Sequence, residues 1–141
     1  MVQPGVSTAR IVRDSDERFI ALRHQLGVSS FGINLITLAP GQRMRIHRHA
    51  HQEEIYLVLE GTLTLLIEGE AQQHGADELI RVAPQVRRQL VNRGPGRLVL
   101  LALGGAGEHE SRDGEAFADW SQQTGAPPQQ VPLPEDLDLS A

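Results

Sequence analysis

An all-β sandwich or barrel is the fold class this sequence predicts, and three observations predict it. From Ser30 to Gly104, about eight short β-forming runs recur at roughly ten-residue spacing, the rhythm of a sandwich or barrel. Gly or Pro stands at most of the junctions between them. One run, EIYLVLE (54–60), is apolar on both faces, as a strand covered on both sides must be.

The elements follow in order. DSDERFIALRHQLG (14–27) carries Asp14 and Glu17 at capping-box spacing, with Phe19, Leu22 and Leu26 at helical spacing, so it reads as a short helix that is partly extended. FGINLITL (31–38) is a strand stopped by Ala39-Pro40-Gly41. QRMRIHRH (42–49) is the next, with Met44 and Ile46 alternating against polar neighbours. Residues 54–60 and 62–68 form a pair broken at Gly61. AQQH (71–74), ELIRVA (78–83), VRRQLVN (86–92) and RLVLLALG (97–104) complete the set. Residues 105–125 are expected to be a loop and a short helix, with Phe117 and Trp120 on one side of GEAFADWSQQ (114–123). The tail 126–141, rich in Pro and acidic residues, is expected to be flexible or to lie on a partner subunit. Residues 1–29 form an N-terminal extension packing on the barrel of residues 30–104.

Composition narrows the function. The net charge of −5 disfavours a nucleic-acid partner, which calls for a basic stripe. There is no cysteine, so disulfides, thiolate metal sites and cysteine nucleophiles are all excluded. No apolar run reaches the ~20 residues that span a bilayer, and the N-terminus shows no signal peptide, so a cytoplasmic location is expected. All 13 basic residues are arginine, which weakens the significance of any single one.

The chemistry concentrates in HRHAHQEEIYLVLEG (47–61). If the strand runs far enough, His47, His49 and His51 share one face. Glu54, Tyr56 and Val58 share a face of the next strand, opposite Ile55, Leu57 and Leu59. Neutral imidazoles and carboxylates suit Fe, Mn, Ni or Zn, and two histidines with one carboxylate leave positions open for a substrate.

These residues resemble the first motif of the cupins, G-x5-H-x-H-x3/4-E-x6-G. Gly41, His47, His49, Glu54 and Gly61 fill every defined position. The resemblance, over residues 31 to 103, implies a jelly-roll β-barrel, His47, His49 and Glu54 as metal ligands, and a homodimer. It leaves His51 and Glu53 as an additional ligand or outer contacts. The second cupin motif supplies a fourth ligand, a histidine. Counting back from Asn92, that position holds Arg88; counting forward from Pro84, it holds Gln89. The first register places Arg88, Leu90 and Asn92 on one face.

Guanidinium has no lone pair to give, so Arg88 alters the site. Three arrangements follow. Three ligands hold the metal, with His51 or His74 completing the shell, while Arg88 binds an anionic substrate. Alternatively the metal is lost and Arg88 pairs with Glu54, leaving a binding or sensing module. In the third, Arg88 points to solvent. Tyr56 lines the pocket or belongs to the core; His109 is a distant candidate ligand. If the chain is an enzyme, the resemblance implies a metal-dependent dioxygenase, isomerase or decarboxylase acting on a small anionic molecule.

Overall fold

A computed structural model describes residues 4–105 and 113–140. Ten strands form two five-stranded antiparallel sheets. The first has the order β1 (Phe19–Ala21), β2 (Gly32–Leu38), β9 (Leu98–Gly105), β4 (Glu53–Glu60), β7 (Leu79–Val82). The second has β10 (Gly114–Phe117), β3 (Ile46–His49), β8 (Arg88–Val91), β5 (Leu63–Ile67), β6 (Glu70–His74). The all-β expectation holds, and the core between the sheets is aliphatic. Leu38, Val58, Leu65, Leu90, Leu98 and Leu100 are its buried centre.

The two motif glycines are conformational necessities. Gly41 has φ +89°, and an added Cβ would come 2.9 Å from the Leu137 carbonyl oxygen. Gly61 has φ +83°, and its Cβ would drive into the Arg97 carbonyl. Asn92 is fully buried and holds the turn after β8. Its side-chain N–H groups donate to Leu38 O (2.8 Å) and Gly96 O (2.9 Å), and its oxygen accepts from the Gly94 N–H (2.8 Å).

Three local expectations are corrected. The segment after Asp14 does not start a helix there. Phe19–Ala21 adds to the free edge of β2, pairing Phe19 with Ile36, and only Leu22–Leu26 is helical, closed by Gly27 at φ 72°. Residues 114–117 of the expected 114–123 helix are extended instead. They pair along β3, Gly114 opposite His49 and Phe117 opposite Ile46, because the ladder of β3 outweighs a weak local helix preference. Phe117 is buried under the guanidinium groups of Arg48 and Arg87. The tail, expected to be flexible, hydrogen-bonds to its own barrel. Leu137 N–H donates to Gly41 O (2.7 Å), and Arg43 Nε donates to Glu135 O (2.8 Å). Prolines hold the strap extended, and arginines of the barrel satisfy its carbonyls.

The outer face of β4 is only partly covered. Leu59 packs with Leu22, Leu35 and Val99 beneath the short helix, whereas Ile55 (39%) and Leu79 (69%) are exposed. No helix among the described residues is long and apolar enough to cross a membrane.

Candidate metal centre

The site lies between the two sheets, and strand register assembles it. His47 and His49 come from β3, and Glu54 and Tyr56 from β4 across the barrel. Arg88 stands directly opposite His47 in the β3–β8 ladder. Alternation along β3 sends His47 and His49 to the same side, where their rings meet edge to face with centroids 5.2 Å apart.

His47 Nε2 is 3.5 Å from Glu54 Oε1, and His49 Nε2 is 3.4 Å from Glu54 Oε2. One ligand atom from each of the three residues lies within 4.8 Å of the others. Metal–ligand bonds of ~2.0–2.2 Å separate neighbouring ligands by roughly 2.9–3.5 Å, so the two histidine–carboxylate distances are of the size a divalent ion requires. Two further details support the fit. His47 Nδ1–H donates to Arg45 O (3.2 Å), so that in the neutral ring the lone pair sits on Nε2, toward Glu54. Both ring nitrogens of His49 are buried without a hydrogen-bond partner among the described residues. An imidazole so placed is suited to a ligand on Nε2.

Glu54 is held from behind. Arg88 is completely buried, which overturns its solvent-facing arrangement. Its Nη2 lies 3.1 Å from Glu54 Oε1 and its Nε 3.2 Å from the same oxygen. Nη1 donates to the carbonyls of Pro84 (3.1 Å) and Val86 (2.5 Å). The Tyr56 hydroxyl also donates to Oε1. Burial alone would raise the Glu54 pKa, but the His47 and His49 rings and the Arg88 charge together bring it well below the usual carboxylate range. Burial, reinforced by the Glu54 charge, pushes the Tyr56 phenol well up, so it stays a neutral donor. Arg88 and Tyr56 therefore both hold Oε1, and Oε2 faces His49.

A cavity of about 670 Å³ adjoins His47, His49 and Glu54. Tyr56 lines it, as does the body of Met44 and Leu90; Arg88 is not among the lining residues. Tyr56 is thus both core and pocket. His51 and Glu53 are not brought to the site. The strand ends at His49, so His51 turns outward, 79% exposed against Asp113. Glu53 faces the other side of β4 and pairs with Arg81. His74 pairs with Glu78 at 2.7 Å on β6. His109 lies outside the described residues.

Asp113 was not anticipated. Its buried carboxylate accepts the backbone N–H groups of His51 and Gln52 (3.0 and 2.8 Å) and lies 3.7 Å from His49 Nδ1. It fixes the turn that ends β3 and stands behind the His49 ring. Burial raises its pKa, but those donors outweigh burial and lower it. Nothing in the sequence near residues 47–61 points to it. Arg45 also lines the cavity, from the position just before β3, where strand alternation no longer sets side-chain direction.

Comparison with known proteins agrees with this architecture. Residues 34–104 match the family model described as the cupin domain. The chain belongs to the cupin family. It is 32% identical over 76 residues, 52% of its length, to the tetracenomycin polyketide synthase protein TcmJ of Streptomyces glaucescens. It is 29% identical over 82 residues, 58% of its length, to the polyketide synthase CurC of Streptomyces cyaneus. The matched segments cover 51% and 53% of those proteins, so the chain spans about half the length of the curated relatives it matches. Among solved structures, a cupin protein from Bacteroides fragilis superposes with TM-score 0.66 at 21% identity, over 77% of this chain and 89% of that one. A sugar phosphate isomerase of the cupin superfamily from Silicibacter pomeroyi gives 0.60 at 19% identity, over 92% and 90%. At these identities the structural likeness is one of fold.

Proposed function

We propose that His47, His49 and Glu54 hold one divalent ion, Fe, Mn, Ni or Zn, and that the adjoining cavity binds or transforms a small anionic molecule. The observation that carries this reading is the convergence of the His47, His49 and Glu54 side chains, each histidine Nε2 within 3.5 Å of a Glu54 oxygen. A bound ion would supply Lewis-acid chemistry toward an oxygen of the ligand. The chain's own residues do the rest. Arg88 and Tyr56 fix Glu54 through Oε1, and the Arg45 carbonyl sets the His47 tautomer. The polyketide synthase names of two relatives support a small-molecule ligand over a macromolecular one.

One observation favours a second reading. The Arg88–Glu54 ion pair already neutralises the carboxylate, as it would in a metal-free binding or sensing module. Elemental analysis after incubation with each ion separates the two. The metal reading expects one ion per chain, lost in the His47→Ala/His49→Ala variant. No bound ion under any of the four conditions overturns it and leaves the metal-free module. We propose further that exposed Ile55 and Leu79 are covered in a homodimer. A monomer by light scattering overturns that.

A further inference from the structure

We propose that Arg45 is the anion subsite of this cavity and that the ligand is a largely apolar carboxylic acid. This names the ligand class within the function proposed above and rests on that reading.

The argument begins with charge. Among the lining residues Glu54 is the one carboxylate, and Arg88 already compensates it. Three arginines, Arg18, Arg23 and Arg45, line the same space. Arg18 is engaged elsewhere, 3.4 Å from Asp136 of the tail strap. Arg45 has no carboxylate partner among the described residues. Its Nε donates to Val131 O (2.5 Å), which pins the guanidinium, and among the described residues no partner takes either of its Nη atoms. The Arg23 guanidinium donates to His24 Nε2 (2.9 Å) and has no carboxylate partner among the described residues. A cation pinned through Nε, with both Nη groups uncommitted, presents the edge that receives a carboxylate.

Position gives the ligand's length. Arg45 stands just before β3 and two residues before His47, so at no more than ~3.3–3.6 Å per residue its backbone lies within roughly 7 Å of that of the first candidate metal ligand. The wall of the same cavity includes Ile36, Met44, Leu90 and Ala102. The cavity of about 670 Å³ is far larger than an isolated carboxylate or phosphate ion needs and suits a molecule with an apolar body. Such a molecule would place its carboxylate on Arg45, its body against these side chains, and an oxygen toward His47, His49 and Glu54.

The test is calorimetric titration of the full chain, metal-loaded and metal-free, with 2-naphthoate, its neutral counterpart 2-naphthamide, and inorganic phosphate. Naphthoate is expected to bind about tenfold or more tightly than naphthamide, with phosphate no better than naphthamide. Arg45→Gln should abolish the preference without weakening naphthamide, Arg45→Lys should restore part of it, and the surface variant Arg81→Gln should match wild type. Melting curves confirm that each variant is folded. Equal binding of acid and amide, no binding of either, phosphate as tight as naphthoate, or an unchanged preference in Arg45→Gln overturns the proposal. If the chain takes no metal yet keeps an Arg45-dependent preference for the acid, the metal reading fails and this one stands. Metal binding without that preference gives the reverse.

Discussion

His47 and Arg88 face each other across one ladder, yet their strands do different work. On β3 the side chains of His47 and His49 look into the cavity: His47 is 20% exposed, and His49 has no hydrogen-bond partner among the described residues. On β8 Arg88 is sealed at 0% exposure and bonded to Glu54, Tyr56 and two backbone carbonyls. One strand is open to bind, and its neighbour is closed to hold. The difference teaches that an arginine at this position can hold the Glu54 carboxylate without entering the cavity: it contacts Oε1, which also faces His47, and leaves Oε2 toward His49.

The largest expected effect comes from breaking the closed half. Arg88→Leu removes the guanidinium from a buried carboxylate, and should destabilise the fold by about 3–5 kcal/mol in urea unfolding. Adding Glu54→Gln should recover a large part of that loss. If the single variant is as stable as wild type, Arg88 is not a structural member of the site. Acid probes the same pair without mutation. Glu54 and Asp113 have folded pKa values below their ordinary values of 4.5 and 3.8. Lowered acids stabilise the fold above the unfolded pKa and lose that contribution as pH falls through the folded value. The urea midpoint should therefore hold steady from neutral pH to about 5 and fall below about 4. Asp113→Asn with Glu54→Gln should flatten that fall, and an equally steep one would place the acid sensitivity elsewhere. A smaller effect, roughly 1–2 kcal/mol, is expected for Tyr56→Phe, which removes one buried hydroxyl from Glu54. A loss as large as that of Arg88→Leu would mean that tyrosine, not arginine, holds the carboxylate.

The open half was legible in the sequence, and the closed half only in outline. Gly41, His47, His49, Glu54 and Gly61 are close in the chain, so their spacing alone fixes faces and turns. The strands from 31 to 103 announced themselves by period and punctuation. Arg88 was readable as a position, since Asn92 anchors the register, but its direction depends on Pro84 and Val86 carbonyls from the preceding turn. β1 and β10 were misread because their residues gain strand structure only from the edges of β2 and β3. Asp113 reaches the site from a distant segment, a long-range contact that no local pattern encodes. The tail's place depends on Gly41 and Arg43 in the same way.

The central claim is that three ligands hold a metal beside a buried arginine. X-ray absorption at the edge of the bound metal tests it most directly. The account predicts light-atom ligands near ~2.0–2.2 Å with the scattering of two imidazoles, lost together in His47→Ala/His49→Ala. No retained metal, three or more imidazoles, or an unchanged spectrum in the double variant would contradict it.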